Sequence, residues 1–237
     1  VFRGKEYVLP VNESQTGCFI HGNLLNLPFA KKQISQSEIE FRYSAKKGEY
    51  LGFPHEFTVR RHYKLGENGL EEYTTVINDG VCEMPVMLAY HTTFNLDFCG
   101  DMQNVKLQVP VTQEYLRDKN FLPTGETAYG RPRDLALANG EFVPAKQPFS
   151  AFYKANDKTV ALFKGAGASV YYEADGIFGY RMLYRGDGDG FAVCEPQTCV
   201  IDCFHFEQKP EELGLIVLSG GESKTFYTRI CIEKNDN

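Results

Sequence analysis

No apolar run in this sequence approaches the ~20 residues that a membrane-spanning helix needs, and the opening Val1-Phe2-Arg3-Gly4-Lys5 is not a signal peptide. The opening also lacks an initiator methionine, so residues are expected upstream. Bases are in the minority: Lys and Arg total 25 against 31 for Asp and Glu, a net charge of −6. No concentrated positive field is therefore on offer to nucleic acid or to an anionic membrane, and a small, weakly charged ligand is the expected partner. Long stretches of Ala, Leu, Glu and Lys at helical spacing are missing, as are repeats, linkers and low-complexity runs. One domain is expected over residues 1–237. The seven cysteines, at 18, 82, 99, 194, 199, 203 and 231, are odd in number and lack the dense pairing of a small secreted scaffold. Reduced thiols in a cytoplasmic protein are expected. Cys194, Cys199 and Cys203 lack C-x-x-C spacing and a His-x-x-x-His companion, so they read as core residues, with no metal site.

What the sequence does have is glycine, 22 residues, and aromatics at 14%, a composition that suits many strands joined by tight turns. Val1 to Pro10 reads as two short strands about a Gly4-Lys5 turn. Ser37 to Ser44 and Glu56 to Leu65 alternate, the second with Phe57, Val59, Arg61, Tyr63 and Leu65 on one face. The Arg60-Arg61 pair reads as solvated. Glu67-Asn68-Gly69 is a hairpin turn into Leu70 to Asn78. Val105 to Val111 reads as a strand that Pro110 marks as an edge, Leu122 to Glu126 as turn chemistry, and Arg131 to Ala155, weakly periodic, as a long loop with short strands or a single helical turn around Asp134 to Ala138. Short strands follow from Thr159 to Cys194, and the last two pair across Gly220-Gly221. Asp187-Gly188-Asp189-Gly190 resembles part of a calcium loop but lacks the downstream acid, so it reads as a hairpin turn. So many antiparallel strands cannot share one open sheet without curling or splitting. The fold class is all-β, a large antiparallel β-sandwich.

Three polar residues stand at the ends of apolar segments. His91 lies between the run Pro85 to Tyr90 and the cluster Phe94, Leu96; it is either a packed core imidazole or a positioned acid. His21 follows Cys18-Phe19-Ile20 and precedes Gly22, which places it at the rim of a strand, or in a turn as a solvated histidine. Glu195 ends the run Ala192-Val193-Cys194 and is followed by Pro196, which stops a strand and leaves the carboxylate at a pocket mouth or in plain solvent. The chemistry open to such a set is proton transfer, with a carboxylate as base and an imidazole as acid.

These residues fall into a familiar order. His21-Gly22, Met84-Pro85 leading to Tyr90-His91 and Phe94-Asn95-Leu96, Leu122-Pro123-Thr124-Gly125-Glu126, Glu195-Pro196 and Gly220-Gly221-Glu222-Ser223 resemble, in register, the aldose 1-epimerase or galactose mutarotase-like family. The resemblance runs from about Phe2 to the last strand. It implies a β-sandwich of galactose mutarotase type over residues 1–237, lacking some N-terminal strands of the family, and interconversion of the α and β anomers of a free aldose without a cofactor. It further implies Glu195 as general base, His91 as general acid and His21 as a substrate-binding residue. The other reading of the same resemblance is a sugar-binding or sensing protein without turnover. Three departures stand out. The family's upstream Asn-Arg pair has no counterpart, Arg3 not matching it. The usual His-Pro-Tyr-Phe reads His91-Thr92-Thr93-Phe94. A sugar-binding aspartate expected near Phe149 to Tyr153 is absent, with Asp157 and Asp175 as imperfect substitutes. Leu25 stands where hexose-6-phosphate relatives place an arginine, which argues against a phosphorylated substrate. The oligomeric state is not readable.

Overall fold

The computed structural model describes residues 1–67, 69–98, 100–155 and 158–235. Alternating apolar residues and glycine turns build sixteen strands among them. In chain order these are β1 (Ala30–Gln33), β2 (Glu38–Ala45), β3 (Phe57–Gly66), β4 (Gly69–Asn78), β5 (Met84–Val86), β6 (Thr93–Asn95), β7 (Lys106–Gln108) and β8 (Val111–Arg117). Then come β9 (Pro123–Ala128), β10 (Phe149–Ala155), β11 (Thr159–Lys164), β12 (Ala168–Ala174), β13 (Tyr180–Arg185), β14 (Phe191–Gln197), β15 (Ile216–Leu218) and β16 (Ser223–Lys234). One α-helix, α1 (Pro132–Asn139), interrupts them. An eight-stranded sheet runs β1-β2-β3-β4-β16-β12-β11-β7, a six-stranded sheet runs β6-β14-β13-β10-β8-β9, and β5 pairs with β15. The fold is the expected large antiparallel β architecture.

The six-stranded sheet carries buried apolar side chains on both faces, and this positions everything that follows. Its inner face sends Ala151, Tyr153, Leu183, Ala192 and Cys194 into a core shared with Val59, Val76, Phe163, Tyr172 and Phe226 of the large sheet. Its outer face carries Phe152 and Tyr180, covered by Phe2, Cys199, Val200, Cys203, Leu213 and Leu215. That second core shields only part of the outer face. Beside it stand Glu195, Met182, Ser150 and Arg117, set by the period-two alternation of β14, β13, β10 and β8.

Several local expectations are revised. Val1 to Pro10 is a turn closed by the single bridge Phe2–Lys5, not a pair of strands. Pro110 separates two strands that lie in different sheets, β7 at the edge of the large one and β8 within the other. The turn expected at Leu122 falls earlier, because the Asp118 carboxylate accepts the N–H groups of Asn120 (2.8 Å) and Leu122 (3.0 Å), and Pro123 already opens edge strand β9. The expected helical turn is a two-turn helix ended by Gly140 at φ 71°. The β3–β4 hairpin pairs down to Gly66 and Gly69, while Asn68 itself and Asp157 lie outside the described residues. Among the described residues no helix is long and apolar enough to cross a membrane.

Candidate active site

Glu195 is held by a regular strand. Ala192 and Cys194 are buried between the sheets, so Glu195 and Gln197 face outward, with Met182 of β13 directly opposite Glu195. Glu195 is only 7% exposed. Burial pushes its pKa above the usual carboxylate range, against the opposing pull of the His91 charge, a hydrogen bond from Gln197 Nε2 (3.0 Å) and the Arg117 charge. Pro196 does not stop the strand, contrary to the sequence reading: β14 runs through it to Gln197. The reason lies in which way its nitrogen faces. Cys194 N–H donates to Thr92 O and Thr198 N–H to Leu88 O, each at 3.0 Å. Position 196 lies midway, so its nitrogen faces the same segment, where pairing with β6 has given way to the single bridge Ala89–Gln197. The Pro196 carbonyl still accepts Tyr90 N–H at 3.2 Å.

His91 sits outside regular strand structure, between that bridge and β6. Its neighbours orient it. Tyr90 is buried, its ring 5.6 Å from that of Phe178, and the Thr92 hydroxyl bonds the Tyr172 hydroxyl of the large sheet at 2.8 Å. With both flanking side chains turned inward, the imidazole between them turns out onto the open face. It is not a packed core residue: its side chain is 51% exposed, and Nε2 lies 3.2 Å from Glu195 Oε1.

His21 arrives by a different route. The expected strand over Cys18 to Ile20 is absent, and only the bridge Glu13–Cys18 forms. The Asn12 side chain takes the place of a strand partner, accepting Ile20 N–H at Oδ1 (2.7 Å) and donating Nδ2 to Ile20 O (2.8 Å). His21 then adopts φ 62° and Gly22 φ 64°, and Asn23 N–H donates to Tyr50 Oη at 2.6 Å. A Cβ on Gly22 would come within 3.2 Å of that same oxygen, so glycine fits both the torsion and the space. The result places the His21 ring edge-on to His91, with centroids 4.9 Å apart. Burial, and then the His91 charge, lower the pKa of His21. His21 is therefore suited to act as a neutral hydrogen-bonding group.

The fourth group was not foreseen. Arg117 reaches from β8 across β10, donating Nη2 to Ser150 Oγ (2.8 Å) and lying 3.5 Å from Met182 Sδ through Nη1. Arg60 and Arg61, read together as solvated, part company: Arg60 is exposed, whereas Arg61 turns toward Tyr90 and pairs with Glu72 at 2.6 Å. Asp175 is not a stand-in for the missing acid, because its oxygens accept Ile177 N–H (3.1 Å) and Tyr227 N–H (2.9 Å).

A carboxylate, a protonatable imidazole in contact with it and a second, neutral imidazole on one open face form a set for moving protons between neighbouring oxygens. The family model described as aldose 1-epimerase matches residues 1–231. The chain belongs to the aldose 1-epimerase family. Among solved structures, it is similar to a galactose mutarotase-like protein from Clostridium acetobutylicum, at 26% identity and TM-score 0.88, over 98% of this chain and 74% of that one. It also resembles the GalM/aldose epimerase homologue from C. elegans (16% identity, TM-score 0.77, 100% and 78% covered). A third is a galactose mutarotase related enzyme from Lactobacillus acidophilus (17% identity, TM-score 0.76, 98% and 76% covered). Family and fold together support a mutarotase-type function.

Within this member of the aldose 1-epimerase family, Gln197 was legible in principle, since it shares the strand face of Glu195 two residues away. Arg117 was not. Nothing in Tyr115-Leu116-Arg117 says that three strands later in the sheet a carboxylate faces the same way.

Proposed function

We propose that this chain is a cofactor-independent aldose 1-epimerase that interconverts the α and β anomers of a free aldose through the open-chain aldehyde. Glu195 takes the proton from the anomeric hydroxyl while protonated His91 delivers one to the ring oxygen, and the C1–O5 bond breaks. Rotation about the C1–C2 bond presents the other face of the aldehyde. On closure the ring hydroxyl returns its proton to His91 as it attacks C1, and Glu195 returns the other to the carbonyl oxygen. No net proton is consumed. His21, neutral beside His91, hydrogen-bonds a sugar oxygen and holds the ring against the pair.

The observation that carries this reading is the 3.2 Å contact between His91 Nε2 and Glu195 Oε1 on an open face. Acid and base in contact before substrate arrives can be bridged by the two oxygens bonded to the anomeric carbon, O1 and O5. The raised pKa of Glu195 supports it too, since a carboxylate closer to neutrality is a stronger base once ionised. The test is polarimetry of freshly dissolved α-D-glucose and α-D-galactose with the purified chain. The optical rotation should reach its equilibrium value well ahead of the buffer control. Sugar binding with no acceleration for either anomer would overturn the proposal in favour of a sensing protein.

A further inference from the structure

Arg117 differs from the other arginines around it. Among the described residues no carboxylate forms an ion pair with its guanidinium, although the Glu195 charge acts on it from across the face; its contacts are the Ser150 hydroxyl, the Met182 thioether and the Phe121 ring, 5.6 Å from Cζ. Arg131 and Arg133 both engage Glu114, and Arg61 engages Glu72. Acids are not in short supply, at 31 against 25 bases. Yet Phe149 to Tyr153, the strand segment beneath the guanidinium, contains none. Five N–H donors are available on a guanidinium and two are engaged here, leaving part of a planar fork that matches a carboxylate in shape and charge.

Its place on the open face fixes what it can reach. Met182, which the guanidinium touches, is the residue directly across from Glu195. Neighbouring strands are ~4.8 Å apart, so the cation stands roughly one strand spacing from the strand that carries the carboxylate. A sugar ring with its anomeric oxygen at Glu195 bridges that gap and brings a ring substituent to Arg117. Phe121, 57% exposed and at φ 63°, covers the guanidinium from the rim and keeps it over Met182.

We propose that Arg117 forms an anion subsite in this cleft and that the preferred substrate is an aldose bearing one carboxylate, a uronic acid. The proposal rests on the mutarotase reading of the same site and names its substrate class. One unpaired guanidinium balances one negative charge, whereas a phosphate ester near neutral pH carries about −1.5 to −2 and calls for more than one cation. Ser150 positions the fork from below, and a bidentate, charge-assisted pair supplies the preference.

The experiment has a turnover arm and a binding arm. Anomer exchange is measured by NMR for D-glucuronate, D-galacturonate, D-glucose, D-galactose and D-glucose 6-phosphate. Binding is measured by calorimetry for methyl β-D-glucuronide and methyl β-D-glucoside, which cannot open. At least one uronate should exceed its neutral counterpart about tenfold in kcat/KM, and the methyl glucuronide should bind about tenfold more tightly than the glucoside. Arg117→Gln should erase both ratios, and Arg117→Lys, which keeps the charge and loses the fork, should keep only part of them. Equal or better performance by the neutral sugars, a preference that survives Arg117→Gln, or glucose 6-phosphate outperforming both uronates overturns the subsite. If no sugar of any kind is turned over, the epimerase reading fails, and the two methyl glycosides still decide whether Arg117 reads a carboxylate.

Discussion

The two sides of the site are built by opposite means. Glu195 sits on a strand paired along its length with β13, its backbone fixed there and its side chain 9% exposed. His21 sits on a loop in a left-handed conformation, positioned by one asparagine side chain and one tyrosine hydroxyl. His91 lies between these extremes, anchored by what its neighbours bury. The group that must be desolvated to become a useful base is placed where the fold excludes water. The groups that must meet and release sugar are placed where the chain can be tuned locally.

This contrast ranks the consequences of breaking each side. Glu195→Gln keeps size and burial and removes the base, so kcat/KM for anomer exchange should fall about 10²–10⁴-fold, the usual contribution of positioned general acid–base catalysis, with the circular dichroism spectrum unchanged. The pH profile gives the same result in another form. Glu195 must be ionised to accept a proton, and burial raises its pKa, so activity should be lost as pH falls through that raised value. The acid limb should therefore lie at higher pH than that of a solvated glutamate. A limb at or below the ordinary range, or near wild-type turnover by Glu195→Gln, would contradict the assignment of Glu195 as base.

The loop side should respond more mildly. Asn12→Ala removes both hydrogen bonds to Ile20 while touching no group on the open face. At an exposed position two such bonds are worth about 1 kcal/mol in all, and their loss frees the backbone immediately before His21. KM should rise about three- to tenfold with kcat little altered, because His21 holds substrate and does not carry the transferred protons. A fall in kcat as large as that of Glu195→Gln would erase the distinction between the two sides.

The sequence made one side more readable than the other. The apolar run Ala192-Val193-Cys194 marked Glu195 as a polar residue borne by a strand, although that strand runs on through Pro196, and the sandwich followed from the number of antiparallel segments. Three things escaped. The His21 loop looked like a strand because Cys18-Phe19-Ile20 is apolar, while the feature that shapes it, Asn12 reaching eight residues ahead, leaves no periodic trace. Arg61 looked solvated beside Arg60, although alternation already placed it with Phe57 and Val59. Arg117 becomes part of the site only through sheet order, since β8 and β14 are separated by β10 and β13 in space and by a helix and several strands in sequence. Local pattern reports which way a side chain faces, and only topology reports what it faces.

The smallest effect is expected from Pro196, the residue that looked most decisive for placing the base. If the proline held Glu195 at a strand terminus, Pro196→Ala would let the strand extend and carry the carboxylate away. In the structure β14 already runs through this position, and the N–H gained by alanine points toward the 88–92 segment, between the bonds that Cys194 and Thr198 make to Thr92 and Leu88. The new donor would complete an interrupted ladder, a gain of about 0.5–1.5 kcal/mol, offset by about 0.4–1 kcal/mol from the greater freedom of the unfolded chain. The midpoint of thermal unfolding should move by no more than about 2 °C, and kcat/KM should stay within about twofold. A loss of tenfold or more with the fold intact would mean that the interruption itself, and not strand pairing to β13, aims Glu195 at the sugar.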